Sequence, residues 1–357
     1  MNISGVDFHS RNFASFGELD QDSEGYNYRG PQFPVSQVVA AVVAQGAILP
    51  IDPPSSRPNA SYATTFYGPA LQCTYVSNTM YDNITEYVNR TFTGFDYCSG
   101  FISWVGDLNF VSVEENETLS IDSGTLEQAN WQWAPSGQGA WLGISGNQTA
   151  NVGARIYVAV FPNMQDAQSM EGGHVPTAES NATIIQCQLT NVTYHASFIW
   201  SNGVRTVDVA LSQPLNLVPA TFYVNDWLTS PAPWAEAVLL EYLAYQSVMD
   251  AFGAVLVGVI GTTLMFASTE RTSVMNTVIG NVPELRMLRS QANRQIANFM
   301  LVNNSPALDA NITGALGLKE TLELLFQNIT LSLATSEFLR SEFRRRTYHE
   351  CSAQMLT

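Results

Sequence analysis

The stretch YHASFIWSNGVRTVDVAL, from Tyr194 to Leu211, predicts a β-hairpin, which is the clearest structural unit in the chain. Apolar side chains alternate with mostly polar ones on both sides of Asn202-Gly203, and this is the period of a strand with one buried face. Asn-Gly between two such runs is the strongest short-range hairpin signal. The alternating apolar residues are Tyr194, Ala196, Phe198, Trp200, Val207, Val209 and Leu211.

The sequence around the hairpin has a similar character. From about Tyr62 to Val218, short runs of aromatic and β-branched residues are separated by Gly, Asn and Asp, which is typical of a β-rich region. Ala154–Phe161 (ARIYVAVF) is another predicted strand with a mostly apolar body, and Pro162 ends it.

The period changes to that of helices after Val224. Ala235–Ala251 and Val282–Leu301 have the apolar spacing of helices. A third helix is indicated by one apolar stripe, at Leu318, Leu322, Leu325 and Ile329. We therefore predict an α+β protein, in which a β-rich, sandwich-like central region is flanked by helices that are mainly C-terminal.

These patterns divide the chain into four regions. A polar N-terminal segment, a β-rich glycosylated region, a helical region packed on it and an irregular tail are predicted at residues 1–58, 59–232, 233–340 and 341–357. The N-terminal segment contains one short buried helix, at Val38–Leu49, and a Pro-rich linker, at Pro50–Pro58.

Charge is scarce in this chain and mostly negative. Asp, Glu, Lys and Arg make up 13% of the 357 residues, about half the share in an average globular protein, and the net charge is −16. Lys319 is the only lysine. Because such an acidic surface repels phosphate backbones and anionic membranes, we expect no nucleic-acid partner.

The acceptor motif for N-glycosylation, Asn-X-Ser/Thr, occurs eleven times and never with Pro at X. Composition alone gives roughly four copies by chance, so the excess indicates a chain that enters the secretory pathway. N-linked glycans would supply the hydration that the missing charges do not. Besides Asn2, the motif predicts glycosylation at Asn59, Asn83, Asn89, Asn116, Asn147, Asn181, Asn191, Asn303, Asn311 and Asn328.

Cysteine usage agrees with an oxidising compartment. Cys73 and Cys98 flank two glycosylation motifs, and we predict a disulfide between them. Closing that loop of about 25 residues would contribute roughly 3 kcal/mol of chain entropy. The pairing of Cys187 and Cys351 is left open, and no cysteine spacing suggests zinc.

One apolar stretch, Ala251–Thr269, has nineteen residues without a charge, which is a borderline length for a membrane span. A span there would place Asn191 and Asn303 on opposite sides of the membrane, so we expect a buried segment instead. Met1–Gly30 has no apolar segment of the signal-peptide kind. Because a glycosylated chain needs a signal peptide or an upstream span, we expect this one to be the middle of a longer protein.

No catalytic or metal-binding set is recognisable in the sequence. None of the four histidines has HExxH or HxH spacing, and they are His9, His174, His195 and His349. Asp20–Gly25 opens like a calcium loop, but the twelfth position is Pro31, where such a loop requires Glu. We predict no catalytic, cofactor-binding or metal-binding residue, and no cofactor.

Two features keep an enzymatic alternative open. The paired carboxylates of glycoside hydrolases can come from distant parts of a chain, so spacing does not reveal them. A sugar-stacking platform could be formed by clustered tryptophans, which are more often core residues. They are Trp131, Trp133 and Trp141. The alternative function is a secreted or membrane-anchored glycan-active hydrolase, with carboxylates assembled by the fold.

Several short motifs, taken in order, resemble the ectodomain of a fungal protein family. They are Asp7-Phe8-His9-Ser10, Asn12-Phe13-Ala14-Ser15, Gly30-Pro31, Gln45–Pro50, Phe66–Pro69 with Cys73, Cys187–Tyr194, Met249–Gly253 and Glu323–Thr330. The family is a large uncharacterised group of multi-span membrane proteins of filamentous ascomycetes. The resemblance covers most of residues 7–340 and implies that membrane spans precede and follow this ectodomain.

The resemblance supplies a location and no activity. Some family members carry the label formylmethionine deformylase-like, but the metal motif that such chemistry needs is absent here. We expect the glycosylated extracellular or lumenal domain of a fungal membrane protein, attached to the membrane through segments outside this chain. The first hypothesis for its function is a non-enzymatic surface recognition or structural module.

Overall fold

The structure is a computed structural model of the 357-residue chain. It describes residues 8, 12–18, 25–51, 59–82, 84–85, 97–105, 154–161, 182–218, 223–225, 233–263, 268–270, 272–286 and 316–336. Strands and helices both contribute to these parts, and the predicted α+β class is confirmed.

The strands and helices of the described residues are as follows. The strands are β1 (Ala14–Glu18), β2 (Gly25–Pro31), β3 (Ala60–Tyr75), β4 (Tyr97–Val105), β5 (Arg155–Val160), β6 (Thr183–Ser201), β7 (Val204–Leu211), β8 (Asn216–Leu217), β9 (Tyr223–Asn225), β10 (Gly258–Thr263) and β11 (Ser268–Glu270). The α-helices are α1 (Phe33–Gln45), α2 (Pro233–Leu256) and α3 (Leu318–Thr335), and two short 3-10 helices lie at Val274–Asn276 and Val278–Asn281.

A large central sheet has the order β11-β10-β4-β5-β6-β3, with β7 and β8 also paired to β6. All of its pairings are antiparallel. A second sheet, of order β1-β2-β9, is formed by the N-terminal strands and one short later strand. The β-rich region that the sequence predicts from Tyr62 to Val218 therefore supplies most of the central sheet.

Strand β6 is nineteen residues long and organises the central sheet. One of its edges pairs with β3, from Ala60 opposite Trp200 to Tyr75 opposite Ile185. The other edge pairs in turn with β5, β8 and β7. In its first half, consecutive residues such as Leu189 and Thr190 are buried, so both faces are covered there. In its second half burial alternates, and one face is open to solvent.

The predicted hairpin is confirmed as the β6–β7 pair, which Asn202 and Gly203 connect. Their φ angles of 51° and 80° are both positive, as a type I′ turn requires. The even-numbered residues of β6 from Tyr194 to Trp200 are buried, in agreement with the predicted alternation. Leu211, the last residue of β7, differs because 41% of it is exposed.

Aromatic side chains of β3 and β6 pack beneath this hairpin. The ring of Tyr62 stacks on Phe198 at 4.8 Å and on Trp200 at 5.6 Å. The ring of Phe66 stacks on Tyr194, its direct cross-strand neighbour, at 5.0 Å. Cross-strand aromatic pairs of this kind stabilise a sheet by about 0.5–1 kcal/mol each beyond the area that they bury.

Helix α1 confirms the predicted N-terminal helix but with different ends. It begins at Phe33 because Pro34 favours the first helical turn, where its missing N–H costs nothing. It ends at Gln45 because Gly46 adopts the left-handed conformation, with φ 73°. One buried valine stripe faces the core, and it consists of Val35, Val38, Val39, Val42 and Val43.

Two of the three C-terminal helices that the sequence predicts are described in full. Helix α2 contains the predicted Ala235–Ala251, and α3 buries Leu318, Leu322, Leu325 and Ile329 as the stripe predicted. The predicted helix Val282–Leu301 is described only as far as Arg286, whose N–H donates to Val282 O at 3.0 Å. The predicted linker Pro50–Pro58 lies mostly outside the described residues.

The apolar stretch Ala251–Thr269 changes its secondary structure at Gly258. Its first part completes α2, and its second part forms β10 and, after four residues outside the described set, β11. Gly258 allows this change because its φ is 142°. Among the described residues, none of the helices has the length and hydropathy of a membrane span.

Candidate functional site

The solvent-facing side of β3, β6 and β7 is the candidate functional site. Residues that lie opposite each other on paired strands share a face of the sheet. The pairing registers therefore define one set of neighbours, which we call the outer face. It consists of Ser61, Ala63, Thr65, Tyr67, Thr193, His195, Ser197, Ile199, Ser201, Val204, Thr206, Asp208 and Ala210.

The outer face is made mainly of short, uncharged side chains. Asp208 is its only acidic residue, and it contains no Lys or Arg. It also exposes three larger apolar groups, because Tyr67 is 61%, Val204 is 68% and Ile199 is 45% exposed. A surface of this composition has almost no charge to offer a partner, so it could bind one only through shape and neutral hydrogen bonds.

One cross-strand contact orders the middle of the outer face. Thr65 and His195 lie directly opposite each other, and Thr65 Oγ1 is 3.1 Å from His195 Nδ1. His195 is exposed on this face. The stacked aromatic rings on the opposite side hold these strands, so the outer face rests on a rigid support.

A second group of polar side chains joins α2 to β6. The Tyr245 hydroxyl donates to Glu241 Oε1 at 2.7 Å and lies 3.3 Å from Asn191 Oδ1. Asn191 Nδ2 donates to the same Glu241 oxygen at 3.3 Å. Nearby, Asn216 Nδ2 lies 3.4 Å from the Tyr242 hydroxyl. We call these five residues the α2 cluster.

The ionisation of the α2 cluster suits a structural role. Burial, followed by the hydrogen bond to Glu241, raises the pKa of Tyr245 far above that of a free tyrosine. Its hydroxyl therefore stays protonated and is a poor proton donor or acceptor near neutral pH. The hydrolase alternative needs two carboxylates across one cleft, and the α2 cluster contains one carboxylate, that of Glu241. The hydrolase alternative therefore stays a prediction.

Metal binding finds no support in the described part of the chain. There, no three side chains of His, Cys, Asp or Glu come together in a way that could hold a metal ion. Several residues that the sequence analysis weighed lie outside the described residues. They are His9, His174, His349, most of Asp20–Gly25, Trp131, Trp133 and Trp141.

The disulfide differs from the predicted one. Cys73 is bonded to Cys187, its direct cross-strand neighbour, so the predicted pairing with Cys98 is wrong. Cys98 belongs to β4, which β5 and β6 separate from β3. Three strand spacings amount to about 14 Å, well beyond the distance that a disulfide can bridge. The loop that the bond closes spans 114 residues instead of about 25.

Three of the ten predicted glycosylation sites are described by the structure. Asn59 is exposed at the start of β3, and its Oδ1 accepts a hydrogen bond from Asn202 N at 2.9 Å. Asn191 is half-buried within the α2 cluster. The remaining seven lie outside the described residues and stay predictions, and they are Asn83, Asn89, Asn116, Asn147, Asn181, Asn303 and Asn311.

Asn328 contradicts its predicted role as a glycan carrier. It is 7% exposed, and its Nδ2, the atom that a glycan would occupy, donates to Gly46 O at 3.3 Å. The third residue of the motif, Thr330, is also buried and donates to Pro69 O at 2.8 Å. A glycan at Asn328 is incompatible with this packing of α3, so the motif has a structural use here.

The outer face was not recognised from the sequence, although a signal for it was present. In the segment Ser61–Phe66, the aromatic residues Tyr62 and Phe66 lie at even-numbered positions, and the odd-numbered positions between them are small or polar. This period of two predicts a strand with one buried and one open face. The outward side of the β6–β7 hairpin has the same character, and combining the two runs required the register between distant strands.

Comparison with known proteins identifies no relative of this chain. No family model, curated protein or solved structure matches the chain.

Proposed function

We propose that this chain is a glycosylated module on the extracellular or lumenal side of a fungal membrane protein. We infer that it acts in surface recognition or as a structural element, and not as an enzyme. The observation that carries this proposal is the outer face, a nearly uncharged sheet surface on a chain whose net charge is −16.

Electrostatics favours a neutral partner for the outer face. Bringing charged groups into an interface costs desolvation energy that only good pairing offsets. Short Ser, Thr and Ala side chains avoid this cost, and their hydroxyl groups can exchange hydrogen bonds with an uncharged polar surface such as a polysaccharide. The ordered strands beneath reduce the entropy that binding would otherwise lose.

The buried disulfide supports the proposed compartment. Disulfides persist in secreted and lumenal proteins, whereas cytosolic thiols are kept reduced. Cys73 and Cys187 are 2% and 1% exposed, which fits a structural bond better than a reactive one. The excess of glycosylation motifs points to the same compartment.

The first experiment tests the compartment. The chain is expressed with a signal peptide in a eukaryotic secretory host and treated with an N-glycosidase, and its mass is compared before and after. We expect a loss of several glycans. Asn59→Gln should remove one glycan from the untreated protein, while Asn328→Gln should not. A secreted protein whose mass glycosidase does not change would contradict the proposal.

The second experiment tests recognition through the outer face. Retention on insoluble neutral polysaccharides, namely chitin and β-glucan particles, is compared for the natural chain, Thr206→Glu and a control. Gln37→Glu is a suitable control, because it adds the same charge at an exposed position of α1. We expect Thr206→Glu alone to lose retention by at least about tenfold, equal to 1.4 kcal/mol. Equal behaviour of all three proteins would count against recognition and leave the structural role.

A further inference from the structure

The backbone of β3 has one edge on β6 and one edge directed away from the sheet. Just after β3, Val76 N donates to Ile184 O at 3.2 Å, so even-numbered residues direct their backbone groups toward β6. Cys73 N donates instead to Glu323, at 2.7 Å, which places odd-numbered residues on the other edge. The register continues without a shift from Ala60 to Tyr75, so the same rule holds along the whole strand.

The second half of this outward edge is protected. Pro69 has no N–H to offer, which is the usual condition for proline in an edge strand. Its carbonyl oxygen accepts hydrogen bonds from Thr330 Oγ1 at 2.8 Å and from the Tyr194 hydroxyl at 2.7 Å. The carboxylate of Glu323 accepts a hydrogen bond from the N–H of Cys73. These features prevent another strand from pairing with this part of β3.

The described residues give no such protection to the first half of the outward edge. Its outward residues are Ser61, Ala63, Thr65 and Tyr67, and within the described part of the chain their outward backbone groups have no hydrogen-bond partner. All four residues are exposed. No proline, charged residue or bulge interrupts this segment, although natural edge strands usually carry one of these against pairing.

Charge identifies the occupant that suits this edge. The sequence of β3, ASYATTFYGPALQCTY, contains no ionisable group apart from its tyrosines, because Cys73 is in the disulfide. Two copies of a chain with net charge −16 repel each other overall. An uncharged strip is where such copies can approach without opposing like charges, and antiparallel pairing of a strand with itself satisfies two-fold symmetry.

We propose that two copies of this chain pair antiparallel through the segment Ser61–Tyr67 of β3. In this arrangement Ser61 lies opposite Tyr67 of the second copy, and Ala63 lies opposite Thr65 of the second copy. Thr64 lies on the two-fold axis. The pairing joins the two central sheets and makes the two outer faces continuous. The inference does not depend on the proposed function, because it rests on backbone geometry and charge.

The first test compares oligomeric state among proline variants. Ala63→Pro removes an N–H that faces away from β6, so it should preserve the fold and abolish pairing. Light scattering and sedimentation at increasing concentration should give a dimer for the natural chain. The variant should have a dissociation constant at least about tenfold higher. Thr64→Pro is the matched contrast, because its N–H faces β6, and it should lower the melting temperature instead.

A cross-linking test does not depend on whether the proline variant folds. Residues opposite each other in a non-hydrogen-bonded antiparallel pair have Cα atoms about 4.5 Å apart, close enough for a disulfide. Thr64→Cys, in a background with Cys98→Ser and Cys351→Ser, should form a covalent dimer under mild oxidation. Thr206→Cys in the same background is exposed but away from the edge, and it should not.

Specific results would overturn the inference. A natural chain that is monomeric at every concentration and whose Thr64→Cys variant does not cross-link has no β3 pairing. A dimer that persists in a folded Ala63→Pro variant uses another surface. Dimerisation without retention on neutral polysaccharides would leave this inference intact and count only against recognition.

Discussion

Glu323 Oε1 accepts a hydrogen bond from the backbone N–H of Cys73 at 2.7 Å, across 250 residues of sequence. This contact fixes α3 against the outward edge of β3, next to the disulfide to Cys187. Backbone groups at a buried sheet edge need a partner, and here a carboxylate from a helix supplies it. Together with the hydrogen bonds on Pro69 O, the same contact protects the second half of this edge, beyond the open segment Ser61–Tyr67.

Removing this carboxylate should destabilise the fold. Glu323→Ala leaves the Cys73 N–H without its acceptor, and we expect a loss of about 1–3 kcal/mol in the free energy of unfolding. Urea denaturation measures this change. Leu324→Ala is the control, because it alters the next residue of the same helix, which is 40% exposed. Equal effects of the two substitutions would show that the contact has no special role.

Removing the disulfide should have a larger effect. Cross-linking two strands across a loop of 114 residues limits the unfolded chain, and loss of such a bond typically costs about 2–5 kcal/mol. We expect this loss for Cys73→Ala combined with Cys187→Ala, measured by urea denaturation of the secreted protein. Non-reducing peptide mapping should find Cys73 joined to Cys187. A peptide joining Cys73 to Cys98 would contradict the structure.

The correct and incorrect predictions differ in the sequence distance that they involve. The hairpin depends on Asn202-Gly203 and its flanking residues, so local pattern was sufficient. The ends of α1 depend on Pro34 and Gly46, which are also local, although hydropathy alone placed the helix too far along the chain. The disulfide depends on which strands are neighbours, and the glycosylation motifs between Cys73 and Cys98, on which the predicted pairing relied, carry no information about that.

The candidate site shows the same difference between features that local sequence predicts and features that depend on contacts distant in sequence. Alternation in β3 and in the β6–β7 hairpin indicates an open face on each, but only the register places Thr65 opposite His195. Burial of Asn328 depends on the docking of α3 near Gly46, 282 residues away in sequence. A sequence motif cannot report such a contact, and for this reason Asn328 was wrongly predicted to carry a glycan.

The hairpin turn gives a local test of the register. Gly203 has φ 80° and no atom within 4 Å of an added Cβ, so any effect of Gly203→Ala comes from backbone strain. We expect a loss of about 1 kcal/mol in the free energy of unfolding, because the left-handed conformation is unfavourable for residues other than glycine. Asn202→Gly should be nearly neutral, since glycine also tolerates the φ of 51° at that position. Thermal unfolding of both variants checks this order.

Alkaline pH should weaken the protein through its buried tyrosines. Burial raises the pKa of Tyr194 and is the main cause that raises the pKa of Tyr245. Below about pH 10 both residues are protonated in the folded and unfolded states, so the raised pKa values have no effect on stability. Above that pH the unfolded chain releases protons that the folded chain keeps, and the free energy of unfolding falls as pH rises.

Tyr194→Phe isolates one of these contributions. Pro69 O still accepts a hydrogen bond from Thr330 in this variant, so we expect a change of only about 1 kcal/mol near neutral pH. Above about pH 10 its stability should fall less steeply than that of the natural chain. Urea midpoints measured across the alkaline range give both slopes. Identical slopes would mean that Tyr194 ionises in the folded protein as easily as in the unfolded chain.

The segment after α1 depends on the guanidinium group of Arg205, which donates to two successive carbonyl oxygens, those of Ile48 and Leu49. From the other side, Ser332 Oγ accepts the N–H of Leu49 at 3.0 Å. The segment is thus held between the hairpin and α3. Two parallel donors in a fixed fork are a property of arginine that lysine lacks.

Arg205→Lys should therefore keep the charge and lose one of the two carbonyl contacts. We expect a loss of about 1 kcal/mol for Arg205→Lys and about 2–3 kcal/mol for Arg205→Ala, because hydrogen bonds from charged donors are the stronger ones. In both variants, amide hydrogen exchange at Leu49, whose N–H lies in the held segment, should be faster than in the natural chain. Exchange in β6 should change less than exchange at Leu49. If both variants destabilise equally, charge is irrelevant and the fork geometry is essential. If Arg205→Lys matches the natural chain, a single contact is enough to hold the segment.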